Sequence, residues 1–394
     1  MAEKILFKGA TIIDGSGNAP VKGSLIIQGK DILEIGANVT CEDAKVVDLS
    51  GKYVMPGIIN AHAHILFDGD SPNSTGQLEK DTPAMAALRA TKNLKKMLRS
   101  GVTFFRDMGG REHIDVDLRN ARNQGIVEGP EFHVSGRVIT MTGGHIWMFG
   151  RQCDGPDEVR KAAREQLKAG VDLIKIVATG GVLSPGMEPG APQLNYDEIA
   201  AAVEEAQKAG KKSATHANGT AGITNAVKAG ISSVEHGIFL TDELIELMIN
   251  NGTYLVPTLM APHCIFHGGL AAGIPDFAVK KTGQVIETHV ASFKKAYEAG
   301  VKIAMGPDTG TPLNRAGDSA LEIKLLVDNG MSPMDGILSA TRNAADLLGI
   351  SGRYGTLEKG KAADFLILGG DPLADIGAIQ SSLEQVYKLG KLVD

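Results

Sequence analysis

Ile59-Asn60-Ala61-His62-Ala63-His64-Ile65 sets two histidines two residues apart in an apolar, strand-like run. On a strand, side chains at i and i+2 share a face, so both imidazoles can reach one metal ion. A lone His-x-His also fits two half-exposed histidines on a sheet face. The rest of the chain has to choose between the two.

Outward from this run, residues 58 to about 354 alternate short β runs with amphipathic helical segments, the signature of parallel βαβ units. Strands are predicted at 58–63, 102–107, 132–137, 173–178, 213–216, 233–236, 254–258 and 302–308. Helices are predicted between them at 82–100, 157–169, 196–209, 221–229, 242–250 and 276–299, several closed by a glycine such as Gly170 or Gly252. Eight such units fit an α/β fold of the (β/α)8 TIM-barrel kind, which usually spans about 250 residues. An open doubly wound sheet competes, but no glycine-rich dinucleotide fingerprint follows the first strand. Residues 1–57 and 355–394 are β in character, with strands predicted at 4–8, 24–28, 31–35, 45–48, 364–368 and 385–389. The two chain ends are expected to pair into a small composite β-sandwich domain beside a barrel domain at 58–354.

Composition is that of an ordinary globular chain: 394 residues, 43% hydrophobic and 22% charged. A net charge of −6 and an aromatic content of 5% argue against nucleic acid as a partner. No segment approaches the roughly 20 apolar residues that a membrane helix needs, and Met1-Ala2-Glu3-Lys4-Ile5-Leu6-Phe7 lacks the long apolar stretch of a secretory signal. A cytoplasmic location is the default expectation, with a small molecule as substrate, no membrane partner and a homo-oligomeric state. Cys41, Cys153 and Cys264 are scattered and odd in number, so neither a disulfide framework nor a zinc knuckle is indicated.

Polar residues concentrate at the carboxyl ends of the predicted strands, where barrels build active sites. The first strand ends in His62 and His64, the fourth carries Lys175, the fifth ends in His216, the sixth in His236 and the eighth in Asp308. Singly, each has an ordinary reading: His216 as a satisfied core histidine, His236 beside a turn, Asp308 as a cap. Together they read as a metal centre. Lys175 is the sharpest of them, because it interrupts the apolar strand Leu173-Ile174-Lys175-Ile176-Val177. A buried ammonium is costly unless paired, for which Asp172 and Glu235 are available. The functional alternative is a lysine carboxylated to a carbamate, which would make it an anionic ligand.

Pro56-Gly57-Ile58-Ile59-Asn60-Ala61-His62-Ala63-His64, Lys175, His216, His236, Gly306-Pro307-Asp308-Thr309 and the closing Gly355-Thr356-Leu357-Glu358-Lys359-Gly360-Lys361-Ala362-Ala363-Asp364 resemble the amidohydrolase superfamily, in its binuclear branch with a carboxylated lysine. Asn60 stands where that pattern often has Asp. The resemblance implies a metal-dependent hydrolase of carbon–nitrogen bonds with two divalent ions, best taken as Zn²⁺. His62, His64 and Asp308 would bind one metal and His216 and His236 the other, with the Lys175 carbamate bridging them. A hydroxide between the metals would attack the substrate carbonyl, and Asp308 would act as general base and then acid.

Thr140-Met141-Thr142-Gly143-Gly144-His145 resembles a segment of Xaa-Pro dipeptidases, N-acyl-amino-acid hydrolases and carboxypeptidases of the imidazolonepropionase-related group. It implies that His145 steadies the carbonyl oxygen. Where dipeptidases of this kind often have a Tyr two residues after the fifth-strand histidine, this chain has Asn218, a candidate for substrate contact. His263, with His267 in the loop after the seventh strand, is another. Arg106 and Asp107 are expected to pair structurally, His113, His133 and His289 to be ordinary, and 180–192 to form a loop able to cover the site as a lid. The expected substrate is a small N-acyl amino acid or dipeptide, Xaa-Pro included. Cyclic amides, imidazolone-type rings, lactones and phosphotriesters are alternatives open to the same centre. An inactive, assembly-forming relative would have lost ligands, and all six are present.

Overall fold

A computed structural model describes residues 2–394. Largely buried runs form the parallel strands β1 (Ile58–Ala63), β2 (Val102–Asp107), β3 (Glu131–His133), β4 (Leu173–Val177), β5 (Lys212–Ala217), β6 (Ser233–His236) and β7 (Tyr254–Val256). Strands buried on both faces read as continuous hydrophobic runs, and β4 is buried at all five positions. Helices follow the predicted spans closely: Pro83–Arg99 begins behind a Thr82 cap, and Tyr196–Lys208 behind an Asn195–Glu198 capping box. Pro156–Ala169 and Asp242–Asn251 both end on left-handed glycines, Gly170 and Gly252.

The architecture is a TIM-barrel-type α/β fold, but the ladder is interrupted. β1, β2 and β3 form one sheet, while β4 to β7 belong to a second, extended by the short strands Ile139–Thr140 and Arg151–Gln152. The predicted eighth strand at 302–308 is not a regular strand. Ile303 makes an isolated parallel bridge to Leu255, and the Met305 carbonyl accepts from Ala61 of β1 at 2.9 Å. Two residues explain the break. Pro307 has no N–H to donate, and Asp308 has φ 60°, outside any strand conformation.

The chain ends meet in one eight-stranded sheet. Its order runs Lys391–Leu392, Leu383–Lys388, Phe365–Leu368, Tyr53–Pro56, Lys4–Ile12, Val21–Gln28, Asp31–Gly36, with Lys45–Asp48 paired to the Lys4–Ile12 strand. Tyr53–Pro56, not predicted from sequence, joins the two ends: Pro56 pairs with Phe365 and Val54 with both Ile12 and Ile367. Phe365 stacks on Tyr387 at 4.6 Å and meets Phe7 edge-on at 5.1 Å.

Lys388 connects this sheet to the barrel. Its buried ammonium donates to Asp364 and, at 2.8 Å, to Glu131 of β3. Lys388→Met would leave the buried Asp364 carboxylate with the Leu389 N–H but no cation, while Glu131 keeps Arg122 and Tyr354, and is expected to cost about 3 kcal/mol of stability in chemical denaturation.

Candidate metal centre

β1 presents His62 and His64 from its C-terminal end, and each ring is fixed through its Nδ1. His62 Nδ1 lies 2.8 Å from Glu235 Oε2, and His64 Nδ1 lies 2.8 Å from the Gly109 carbonyl. That leaves both Nε2 atoms for a ligand, the arrangement by which an outer partner sets tautomer and orientation. They converge on Asp308 Oδ1 at 3.2 and 3.3 Å. These contacts lack hydrogen-bond geometry, and Oδ1 is buried without a hydrogen-bond partner. The three ligand atoms lie within 4.8 Å of one another. His236 Nδ1 is held 2.7 Å from Thr258 Oγ1, again freeing Nε2. His216 Nε2 lies 3.3 Å from Asn218 Nδ2, and its Nδ1 makes no hydrogen bond. The rings run in a row, His62 to His236 at 5.4 Å, His236 to His216 at 4.5 Å and His216 to His145 at 4.3 Å. His236 and Asp308 both adopt left-handed backbone, φ 72° and 60°, a strain that concentrates at functional sites.

Lys175 lies in the middle of β4, 3% exposed, and its Nζ has no hydrogen-bond partner. Both counter-charges available in sequence are engaged elsewhere. Asp172 accepts from Arg119 at 2.6 Å, and Glu235 accepts from Arg106 at 2.9 Å. Burial lowers the Lys175 amine to about 8, with Arg106 adding to the effect while Glu235 and Asp308 oppose it. A lysine near that value has an appreciable neutral fraction at pH 7, the form that can take up CO₂. Burial likewise holds His216 and His236 well below the usual imidazole range, so they are neutral and available as ligands. Burial alone would raise the Asp308 carboxyl, but His62 and His64 hold it well below the usual range. An orphaned amine, an orphaned carboxylate oxygen and four free imidazole nitrogens are a donor set that fits divalent metal ions.

All of these residues line one cavity of about 920 Å³, counted out to its mouth. His145 and Asn218 line it too. His263 does not: the helix Met260–Gly268 turns Ala261, Pro262 and Ile265 inward, while the His263 ring lies tilted against His267 at 4.3 Å. Sequence reading overlooked three groups. His289 lines the cavity, in step with Thr282 and Val285 along one helix, and its Nε2 donates to the His236 carbonyl at 3.0 Å. Its i, i+3, i+7 spacing was a usable signal. Arg106 does not pair with Asp107. It reaches Glu235 across the barrel, while Asp107 accepts the Ile65 and Gly109 N–H groups at 2.7 and 2.9 Å. Glu235 shares a strand face with Ser233, whose hydroxyl donates to it at 2.5 Å.

The loop at 180–192 runs over the cavity and is tied down. Ser184 Oγ lies 2.8 Å from His145 Nδ1, and Lys281 Nζ donates to the Ser184 carbonyl at 2.7 Å and to that of Met187. Gly181 packs against the centre so closely that a Cβ would sit 2.5 Å from the His145 ring and 2.8 Å from His216 Nε2. Gly181→Ala is therefore expected to lower kcat/KM about 100-fold through displaced imidazoles, with the fold intact by circular dichroism.

A barrel-type fold builds its active site at the C-terminal mouth, which is where these polar side chains gather. Residues 53–393 match the model of the Amidohydrolase family, and the chain belongs to that family. An ochratoxinase from Aspergillus niger is 30% identical over 414 residues, covering 97% of this chain and 85% of the relative. A Xaa-Pro dipeptidase solved with methionine in its active site superposes with a TM-score of 0.91 at 34% identity, covering 99% of both chains. A prolidase in complex with N-methylphosphonate-L-proline gives 0.91 at 30% identity and the same coverage. No helix among the described residues is long and apolar enough to cross a membrane.

Proposed function

We propose that the chain is a metal-dependent hydrolase of the C–N bond of a small amide. His62, His64 and Asp308 would hold one divalent ion, His216 and His236 a second, and a carboxylated Lys175 would join them, with Zn²⁺ suited to the nitrogen-rich set. When bound, the ions would lower the pKa of a water and polarise the substrate carbonyl.

The remaining work falls to side chains. Asp308, kept ionised, would accept the proton of the attacking water and return it to the leaving amine. His145 would meet the carbonyl oxygen. Burial lowers its pKa to about 3, so it is neutral at pH 7 and must donate from one nitrogen only. Ser184 Oγ already accepts the Ile146 N–H at 3.0 Å, so its own hydrogen is free for His145 Nδ1. That leaves the Nε2 proton for the cavity, the tautomer that oxyanion stabilisation needs. Asn218 would border the substrate.

The observation that carries this reading is the partnerless Lys175 Nζ among four histidines and Asp308. Small N-acyl amino acids and dipeptides, Xaa-Pro included, contain the bond in question, as do the substrates implied by the names of the dipeptidase and prolidase relatives. The test is turnover of an amide panel by protein loaded with Zn²⁺ in bicarbonate. Activity should vanish on chelation and return with metal, and turnover that survives complete metal removal would refute the reading.

A further inference from the structure

Resting on the amide-hydrolase reading, we infer that the preferred substrate is an uncharged amide with apolar flanks, an aromatic ring among them, and that the cavity rejects an ionised carboxylate.

The walls carry the argument. The Phe67 ring stacks on His64 at 4.9 Å, with Phe149 at 5.6 Å from Phe67, so an aromatic wall adjoins the candidate ligands. Leu183, Ile265 and Val285 are among the side chains that continue the apolar lining. Among the described residues lining the cavity no arginine occurs, and Lys175 is the only lysine. Lys175 belongs to the metal-binding set, so a carboxylate could meet a cation only where the scissile carbonyl has to sit.

The backbone donors at the one helix end that meets the cavity are spent as well. The helix Met260–Gly268 enters the cavity wall at its N-terminus, the usual place for an anion. Here the buried Glu322 carboxyl already accepts the Leu259 and Met260 N–H groups at 2.9 and 2.6 Å. The Thr282 and Thr311 hydroxyls donate to the Ala278 and Asp308 carbonyls. Lys281, behind the covering loop, donates to two loop carbonyls and does not line the cavity.

What remains unpaired outside the candidate ligands points the same way. Asn218 Nδ2 donates to the Gly180 carbonyl at 3.1 Å and lies 3.3 Å from His216 Nε2, and its Oδ1 is buried without a partner. An unsatisfied acceptor selects a donor, such as the N–H of a secondary amide, and repels an anion. A Xaa-Pro dipeptide offers neither the N–H at its scissile bond nor an uncharged flank. An ionised group brought into such a cavity loses its hydration with nothing to replace it.

Benzanilide and its two mono-carboxylated forms, one acid on each ring, test this directly with the Zn²⁺-loaded protein. The kcat/KM for benzanilide is expected to exceed that of both acids by about 100-fold. A ratio below tenfold, or a preference for either acid, would overturn the inference while leaving amide hydrolysis standing. If none of the three is cleaved while the amide panel is turned over, the inference fails; if the panel is untouched as well, the hydrolase reading is at fault, and calorimetric binding decides the inference separately. Benzanilide should then bind at least tenfold more tightly than its ring-sulfonated form, a poor metal ligand, and equal or weaker binding would overturn it.

Discussion

Asp308→Asn is expected to lower kcat by about a thousandfold or more with little change in KM, because the substitution keeps the side chain's size and removes its charge and basicity. The carboxylate sits where two imidazole nitrogens converge on a single oxygen that no N–H properly satisfies. An amide there would be a weaker ligand and no base. Folding stability at neutral pH should fall modestly, since His62 and His64 favour the ionised carboxylate and an amide loses that attraction. Rapid kinetics beside a thermal melt would show both effects. A kcat within tenfold of wild type would take the proton-transfer role away from Asp308.

Lys175→Met should abolish hydrolysis and the retention of a second metal ion while leaving the melting temperature unchanged or raised. The direction of the stability change is the informative part. A structural lysine stabilises through partners, and its loss would destabilise the fold by several kcal/mol. Lys175 has no partner, so replacing it with an unbranched apolar side chain of similar length relieves a desolvated amine. Metal analysis and calorimetry on the same preparation separate the two roles. A destabilised variant that still binds two ions and turns over would show that Lys175 is a structural cation.

Much of this was legible in the chain because the relevant signals are local. Glycines such as Gly170 and Gly252 announce helix ends through backbone chemistry confined to a few residues. The candidate ligands stood out because polar residues at the ends of apolar strands are anomalous wherever they occur, Lys175 most of all. What escaped depends on distant partners. Tyr53–Pro56 becomes a strand only because Ile12 and the Phe365–Leu368 strand flank it, one of them more than 300 residues away. Arg106 has an acidic neighbour at Asp107, yet its partner Glu235 lies across the barrel, 129 positions on. The irregular eighth segment could be read only in part. A strand was expected straight through Pro307, and the left-handed turn at Asp308 comes from the geometry that aims its carboxylate at His62 and His64. His263 was expected on a loop, but the segment is the helix Met260–Gly268, whose phase turns it away from the cavity.

The most direct test of the centre is the metal content of wild-type protein reconstituted with Zn²⁺ in the presence and absence of bicarbonate. The account predicts two ions per chain with bicarbonate and fewer without it, because the shared ligand on Lys175 forms only when CO₂ is supplied. A content that never exceeds one ion per chain, or that ignores bicarbonate, would contradict the carboxylated-lysine centre.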